Sequence, residues 1–283
     1  RYNYRCNIRK IGYVSNCSTT ASNDKAYNIN FGATYKVDPK LNIFLGYATG
    51  STPHNVASTN ADKANVMRGA QNIELGAKYT LPNDGLLTFT LFDTAKTNQA
   101  FNYDTGKQDS NGNSIYKTLY NASEFTYGYE VDLAYKPSKN SFVSIAYANT
   151  NSRKNKTIDG KIILLEKMGI AKHTFNLFGS YTLPGKINPL RKQGQLTVFG
   201  NVKYVSKRKL PDSWLDDVLD PHKAYLEPHA VINVGARLDM LNKWSAVFRL
   251  NNLQNKRYYE RRLFAGGLPG ASRNFVLTLE KKF

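Results

Sequence analysis

Apolar and polar residues alternate along most of this chain, in runs bounded by Pro, Gly, Asn and Asp. Alternation sends successive side chains to opposite faces of a strand. Such runs occupy about residues 27–37, 41–50, 71–81, 85–95, 123–136, 140–150, 172–183, 194–205, 229–240, 243–252 and 272–283. They predict about eleven strands and no convincing helix. Soluble strands average about five or six residues, whereas a tilted strand crossing a bilayer needs about nine to eleven, and nearly all of these reach the longer figure.

One phase of the alternation carries Ile29, Phe31, Ala33 and Tyr35, then Ile73, Leu75, Ala77 and Tyr79, then Phe125, Tyr127, Tyr129, Val131, Leu133 and Tyr135, and later Phe275, Leu277 and Leu279. No Asp, Glu, Lys or Arg falls on it. The opposite phase holds Lys36, Glu74, Lys78, Glu130, Asp132, Lys203, Arg237, Arg249, Glu280 and Lys282. One face is thereby suited to hydrocarbon and the other to water and polar contents. A soluble β-sandwich also alternates, but it does not need strands of this length.

The links support the membrane reading. "VDPK", "PNDG", "PSKN" and "LNK" are tight, while the alternate links run from about 51 to 70, 96 to 122, 151 to 171, 206 to 228 and 253 to 271. "PGKINPLRKQG" is intermediate in length and falls on the tight side. Outer-membrane barrels have short periplasmic turns and long extracellular loops. Tyr35, Tyr79, Tyr135 and Tyr181 each stand on the apolar phase just before a tight-side turn. A ring with a polar hydroxyl settles where acyl chains meet headgroups, so these four are expected to form a periplasmic girdle. The final strand then runs toward the periplasm and ends on Phe283, a terminal aromatic of the kind that marks outer-membrane proteins for barrel assembly.

Composition adds bounds. The 283 residues contain no apolar run long enough for a transmembrane helix. The chain begins at Arg1 with neither an initiator Met nor a secretory signal, and is expected to be a piece of a longer or processed protein. Cys6 and Cys17 are the only cysteines; they either close a local disulfide in an oxidising compartment or remain two thiols. The net charge of +18 raises nucleic acid as a partner. The cations are scattered and concentrate between strands, at 152–156, 206–209 and 256–262, rather than with aromatics on one sheet face, which argues against it. No Cys or His cluster has metal-ligand spacing.

Several stretches resemble one family. "NIELGAKYTLPNDGLLTFTLFDTAKTNQ", "LNIFLGYATGSTP", "GYEVDLAYKPSKNSFVSIAYANT", "WSAVFRLNNLQNKRYY" and "GASRNFVLTLEKKF" are similar, in this order, to segments of TonB-dependent siderophore receptors. The likeness spans nearly all of residues 27–283. Family barrels have about twenty-two strands. The resemblance therefore implies an all-β transmembrane antiparallel barrel of which 27–283 is the C-terminal half, with 1–26 an extracellular loop segment. The family's plug domain and the box that contacts TonB are absent from this sequence. Implied with the fold is TonB-dependent import of a ferric siderophore across the bacterial outer membrane, without covalent chemistry and without a resident cofactor. Implied partners are TonB through that N-terminal segment, outer-membrane lipids and lipopolysaccharide, and the barrel assembly machinery.

Ligand contacts are expected in the long loops. Tyr103, Tyr116, Tyr120, Trp214 and Tyr225 offer flat faces for catecholate or hydroxamate chelates. Arg208, Arg257, Arg261 and Arg262 would attract anionic ones. The bland alternative is that loop aromatics pack on one another and loop cations bind lipopolysaccharide phosphate. Haem, another metal chelate or a vitamin is the close alternative cargo, since His54, His222 and His229 border long loops. A general diffusion porin and an outer-membrane hydrolase are the competitors from other classes; no nucleophile motif favours the latter.

Overall fold

The computed structural model describes residues 2–10, 13–21, 27–53, 67–166, 169–210, 225–241, 243–263 and 266–282. Its centre is one antiparallel meander. In chain order it contains β3 (Asn30–Lys36), β4 (Leu41–Pro53), β5 (Met67–Leu81), β6 (Gly85–Gln108), β7 (Ser114–Ser138), β8 (Ser141–Ile158), β10 (His173–Thr182), β11 (Gly194–Val205), β14 (His229–Met240), β15 (Trp244–Asn251) and β18 (Asn274–Lys281). Successive strands of this series pair with each other, and each falls on one of the eleven alternating runs. A further strand, β9 (Lys161–Glu166), adds to β8.

Three small hairpins stand off this sheet: β1 (Tyr2–Lys10) with β2 (Tyr13–Ala21), β12 (Arg208–Lys209) with β13 (Tyr225–Leu226), and β16 (Tyr259–Leu263) with β17 (Gly266–Pro269). In the first, Cys6 lies opposite Cys17 in register. The side chains of residues 1–26, and with them the disulfide, lie outside the described residues.

Registers carry the two-phase pattern across the sheet. One row runs Tyr79, Leu87, Leu133, Ile145, Leu177, Val202 and Ile232; the next contains Tyr135, Val143, Gly179, Gly200, Val234, Leu250 and Phe275. These side chains have no protein layer over them: Leu75, Leu91, Phe248 and Leu277 are among many large apolar residues left exposed. The buried apolar set among the described residues is short and dominated by Ala and Val, so no soluble core is present. An apolar face without a covering layer is what a bilayer accommodates. The two outermost strands, β3 and β18, each have a single neighbour among the described residues. Backbone groups on such edges need partners in lipid, which requires further strands to close the wall.

Turn chemistry agrees with the tight links. Asn83 and Asp84 both have positive φ, at 57° and 56°, and Gly85 N–H donates to the Pro82 carbonyl at 3.3 Å, giving the two-residue hairpin turn whose twist suits flanking strands. At the other end the long links differ from expectation. Residues 96–122 and 151–171 are largely strand: β6 and β7 run on to a turn at Asp109–Asn113, and β8 runs on to a turn at Asp159 and Gly160. Beyond the bilayer both faces of a hairpin are wet, so the alternation that marks a strand is lost while backbone pairing persists.

Candidate ligand-binding mouth

At the end of the barrel opposite the tight turns, the tops of β11, β14, β15 and β18 converge under the two hairpins β12–β13 and β16–β17. What holds this region together is Asn252, which is only 2% exposed. Its N–H donates to Asn233 Oδ1 at 2.7 Å. Its Nδ2 donates to the Lys256 carbonyl at 2.9 Å and the Ala271 carbonyl at 2.9 Å, and its Oδ1 accepts from Lys256 N–H at 2.8 Å. Asn252 itself takes a φ of 50°, a left-handed conformation that Asn tolerates better than most residues. One side chain thus ties both ends of the last extracellular segment to the top of β15. Asn255 adds a second tie by accepting from Arg273 N–H at 3.1 Å.

The fold so anchored stacks Tyr258 on His229, with ring centroids 4.3 Å apart. Arg208 reaches across from β12 and donates through Nη2 to the Tyr259 carbonyl at 3.2 Å. Burial lowers the Arg208 guanidinium somewhat and the Glu260 carboxylate opposes this, so the group stays cationic at neutral pH. Burial and then Glu260 hold the Tyr258 phenol above its ordinary range, which keeps it a hydrogen-bond donor. These groups border a cavity of about 440 Å³ that also takes in Lys203, Asn233, Asn251 and Asn274, all on the inward phase. A larger one of about 960 Å³ adjoins it through His229 and Tyr258 and is lined by Tyr225, Arg257 and Tyr259. The pair offers cations, phenols and amides around concave space, a donor-rich setting for an anionic or polyhydroxylated ligand.

Of the residues expected from the sequence, Arg208, Tyr225 and Arg257 meet around these cavities. Tyr225 has the Lys207 ammonium 5.1 Å above its ring. Arg261 lies exposed on β16. Tyr103, Tyr116 and Tyr120 sit on a different hairpin, the upper part of β6 and β7. Trp214, His54, His222 and Phe283, and the side chain of Arg262, lie outside the described residues. Tyr35, Tyr79 and Tyr181 stand exposed near the lower ends of their strands; Tyr135 is half-buried, its ring against Gly85. Lys203, Asn252, Tyr258 and Glu260 line the cavities as well, without being expected from the sequence as ligand contacts, and His229, expected there only for a haem cargo, joins them. The repeated amides and paired tyrosines of "NNLQNKRYY" are the sequence signal for two of them, Asn252 and Tyr258. Among the described residues no group of three His, Cys, Asp or Glu could hold a metal.

A one-layer antiparallel sheet, apolar on the outside and polar within, with a polar mouth at its long-loop end, defines a bacterial outer-membrane β-barrel over part of its circumference. The chain belongs to the TonB-dependent receptors: residues 7–253 match the family described as TonB dependent receptor-like, beta-barrel. These receptors are outer-membrane transporters rather than enzymes. No curated protein matches the sequence. Solved structures of similar fold include the ferric-catecholate import receptor Fiu from K12 E. coli, with TM-score 0.72 and 20% identity, over 99% of this chain and 40% of that one. The siderophore receptor PiuA from Acinetobacter baumannii gives TM-score 0.72 and 19% identity, over 96% of this chain and 38% of PiuA. The ferric yersiniabactin uptake receptor FyuA from Yersinia pestis gives 0.71 and 14%, over 94% and 39%. This chain therefore spans two-fifths or less of the length of these structures, and at such identities the likeness establishes the fold.

Proposed function

We propose that the protein carries a ferric siderophore across the outer membrane in a TonB-dependent manner, with the mouth formed by Arg208, Tyr225, His229, Arg257 and Tyr258 contributing to ligand capture. The observation that carries this reading is the donor-rich double cavity above the lumen, held in place by Asn252. Ferric chelates of catecholate type are anionic and present planar aromatic rings around an octahedral centre, and cationic guanidinium groups beside phenol rings suit both properties. A haem reading draws less support: His229 is buried and its ring is covered by Tyr258. The hydrolase reading draws little either, since the His173 ring bonds to Tyr147 and Asn149, and Ser206 Oγ accepts from the His173 main-chain N–H.

The test is uptake of radioactive iron by iron-starved cells that express the full-length receptor as their sole iron importer, supplied in turn with catecholate, hydroxamate and haem iron. Uptake of one siderophore class that stops when TonB is deleted is the expected result. Passage of small solutes without TonB, and of no ferric chelate, would establish a porin instead.

A further inference from the structure

The outer face of β10 and β11 is interrupted. Gly179 and Gly200 lie opposite each other in the outward-facing row, flanked on one side by Val143 and on the other by Val234. A Cβ built on Gly179 would meet nothing within 4 Å. The absent side chains leave an apolar furrow of about 630 Å³, walled by Val143, Tyr181, Val198, Val234, Phe248 and Leu250. Adjacent strands are about 4.8 Å apart, so two neighbouring glycines open a trench wide enough for a single acyl chain. Along much of the rest of the wall the outward rows are filled by larger apolar side chains, such as Leu87, Phe89, Leu91, Val131, Leu133 and Ile145.

Directly below, β10 and β11 are joined by residues 183–193, the one tight-side link that is longer than the others. It contains Lys186, Arg191 and Lys192 and no acid, and all three are exposed. This segment is built rather than loose. Asn188, 6% exposed, donates through Nδ2 to the Gly194 carbonyl at 2.9 Å and accepts at Oδ1 from Leu190 N–H at 2.9 Å. Ile187 and Asn188 N–H both donate to the Pro184 carbonyl, at 2.9 and 3.0 Å. A loop fixed in this way nevertheless leaves Ile187 61% exposed, and Leu241, whose N–H donates to the Gln193 carbonyl, 82% exposed. Rigidly presented aliphatic side chains among unpaired cations are arranged for the boundary between headgroups and acyl chains.

From these features we propose that the β10–β11 hairpin holds an anionic phospholipid of the periplasmic leaflet, one acyl chain in the Gly179–Gly200 furrow and the headgroup phosphate on Lys186, Arg191 and Lys192. The furrow centre lies three residues above Thr182, where the loop begins, roughly 10 Å at the usual strand rise. That separation matches a phosphate at the rim and an acyl chain running upward along the wall. Occupancy fills the gap in the apolar surface, and the cations supply a preference for net negative headgroups over zwitterionic ones. The proposal concerns the outer wall and is independent of which cargo passes through the lumen.

Native mass spectrometry of the detergent-solubilised full-length receptor, titrated with phosphatidylglycerol and separately with phosphatidylethanolamine, tests it. Phosphatidylglycerol is expected to be retained preferentially. Lys186→Gln, Arg191→Gln and Lys192→Gln should each weaken that retention by about fivefold, the effect of one cation near an anionic headgroup. Gly179→Leu, whose Cβ meets nothing within 4 Å, should abolish it while leaving lipopolysaccharide retention and ferric chelate uptake unchanged. Equal retention of the two lipids, or undiminished phosphatidylglycerol binding in Gly179→Leu, would overturn the proposal. Heat-modifiable gel mobility of each variant shows that the barrel has assembled.

Discussion

Replacing Asn252 with Ala should release the last extracellular segment while leaving the barrel wall intact. The substitution deletes three side-chain hydrogen bonds, two donated to the Lys256 and Ala271 carbonyls and one accepted from Lys256 N–H. Each is worth about 1 kcal/mol net, and more if its partner stays buried and unpaired. Alanine at a φ of 50° adds roughly 1–2 kcal/mol of backbone strain. Once the segment lifts, the orphaned groups reach water, so the loss is bounded at about 4–5 kcal/mol and is local. The main-chain bond to Asn233 and the ladder between β14 and β15 do not depend on the side chain. Limited proteolysis on intact cells reads the outcome: cleavage within residues 253–271 should accelerate by roughly a thousandfold, with heat-modifiable mobility unchanged. Asn252→Gly separates the two causes, since it relieves the strain and still lacks the three bonds; it should be milder than Ala by roughly 1–2 kcal/mol yet still open the segment. A protease-resistant segment and unaltered chelate affinity in Asn252→Ala would refute the assignment of this side chain as the anchor.

Arg208→Ala should weaken binding of an anionic ferric chelate by roughly tenfold to a hundredfold in an equilibrium titration, as the loss of a charge-assisted contact implies, and Arg208→Lys should restore part of it. Gly128 on β7 is a packing requirement: a Cβ there would fall inside contact distance of the Asn149 carbonyl oxygen on β8, so Gly128→Ala should slow or block barrel assembly, measured as loss of the fast-migrating unheated gel band. Hydrogen bonds from Asn113, at the side chain and the main chain, and from Asn111 main-chain N–H hold Asp109 below the usual carboxylate range. The sign is that of a depressed acid: its contribution to the β6–β7 turn is present above the unfolded pKa and fades as pH falls through the folded one, so exchange of the Asn111 and Asn113 amides should quicken only under acid conditions. Cys6 and Cys17, opposite in register on β1 and β2, are expected to be joined, and intact mass before and after reduction should differ by about two protons.

The wall was legible in the sequence because each strand is solvated by lipid on one side and water on the other, which imposes period two on residues such as Leu75, Ala77 and Tyr79 against Glu74, Gly76 and Lys78. Above the membrane that constraint lapses. "KTNQAFNYDTGKQ" reads as a loop, yet it continues β6 because its partner 114–122 offers a backbone to pair with, which no local pattern reports. The mouth was half legible. Arg208, Tyr225 and Arg257, and His229 for a haem cargo, are legible by residue type and loop position, whereas Lys203 and Glu260 join them only through the registers of β11 and the β16 hairpin. Asn252 stands within "WSAVFRLNNLQNKRYY", but its three side-chain bonds depend on where residues 256 and 271 return to the sheet.

A mean hydropathy of −0.50 and a net charge of +18 look unsuited to a membrane protein until the two faces are separated. Averaging along a strand mixes Tyr129, Val131 and Leu133 with Glu130 and Asp132 and cancels the signal that matters. The same arithmetic makes register decisive. A one-residue slip of β7 against β8 would turn Glu130 and Asp132 toward lipid and bring three large apolar side chains into the lumen, and each misplaced charge carries a cost of up to a few kcal/mol near the bilayer midplane. The two left-handed residues Asn83 and Asp84 pin the register at one end of the β5–β6 hairpin, and the penalty for a slipped charge enforces register along the strands. Charge on the inner face thus does more than wet the lumen: it excludes the alternative pairings that an apolar strand of equal length would accept.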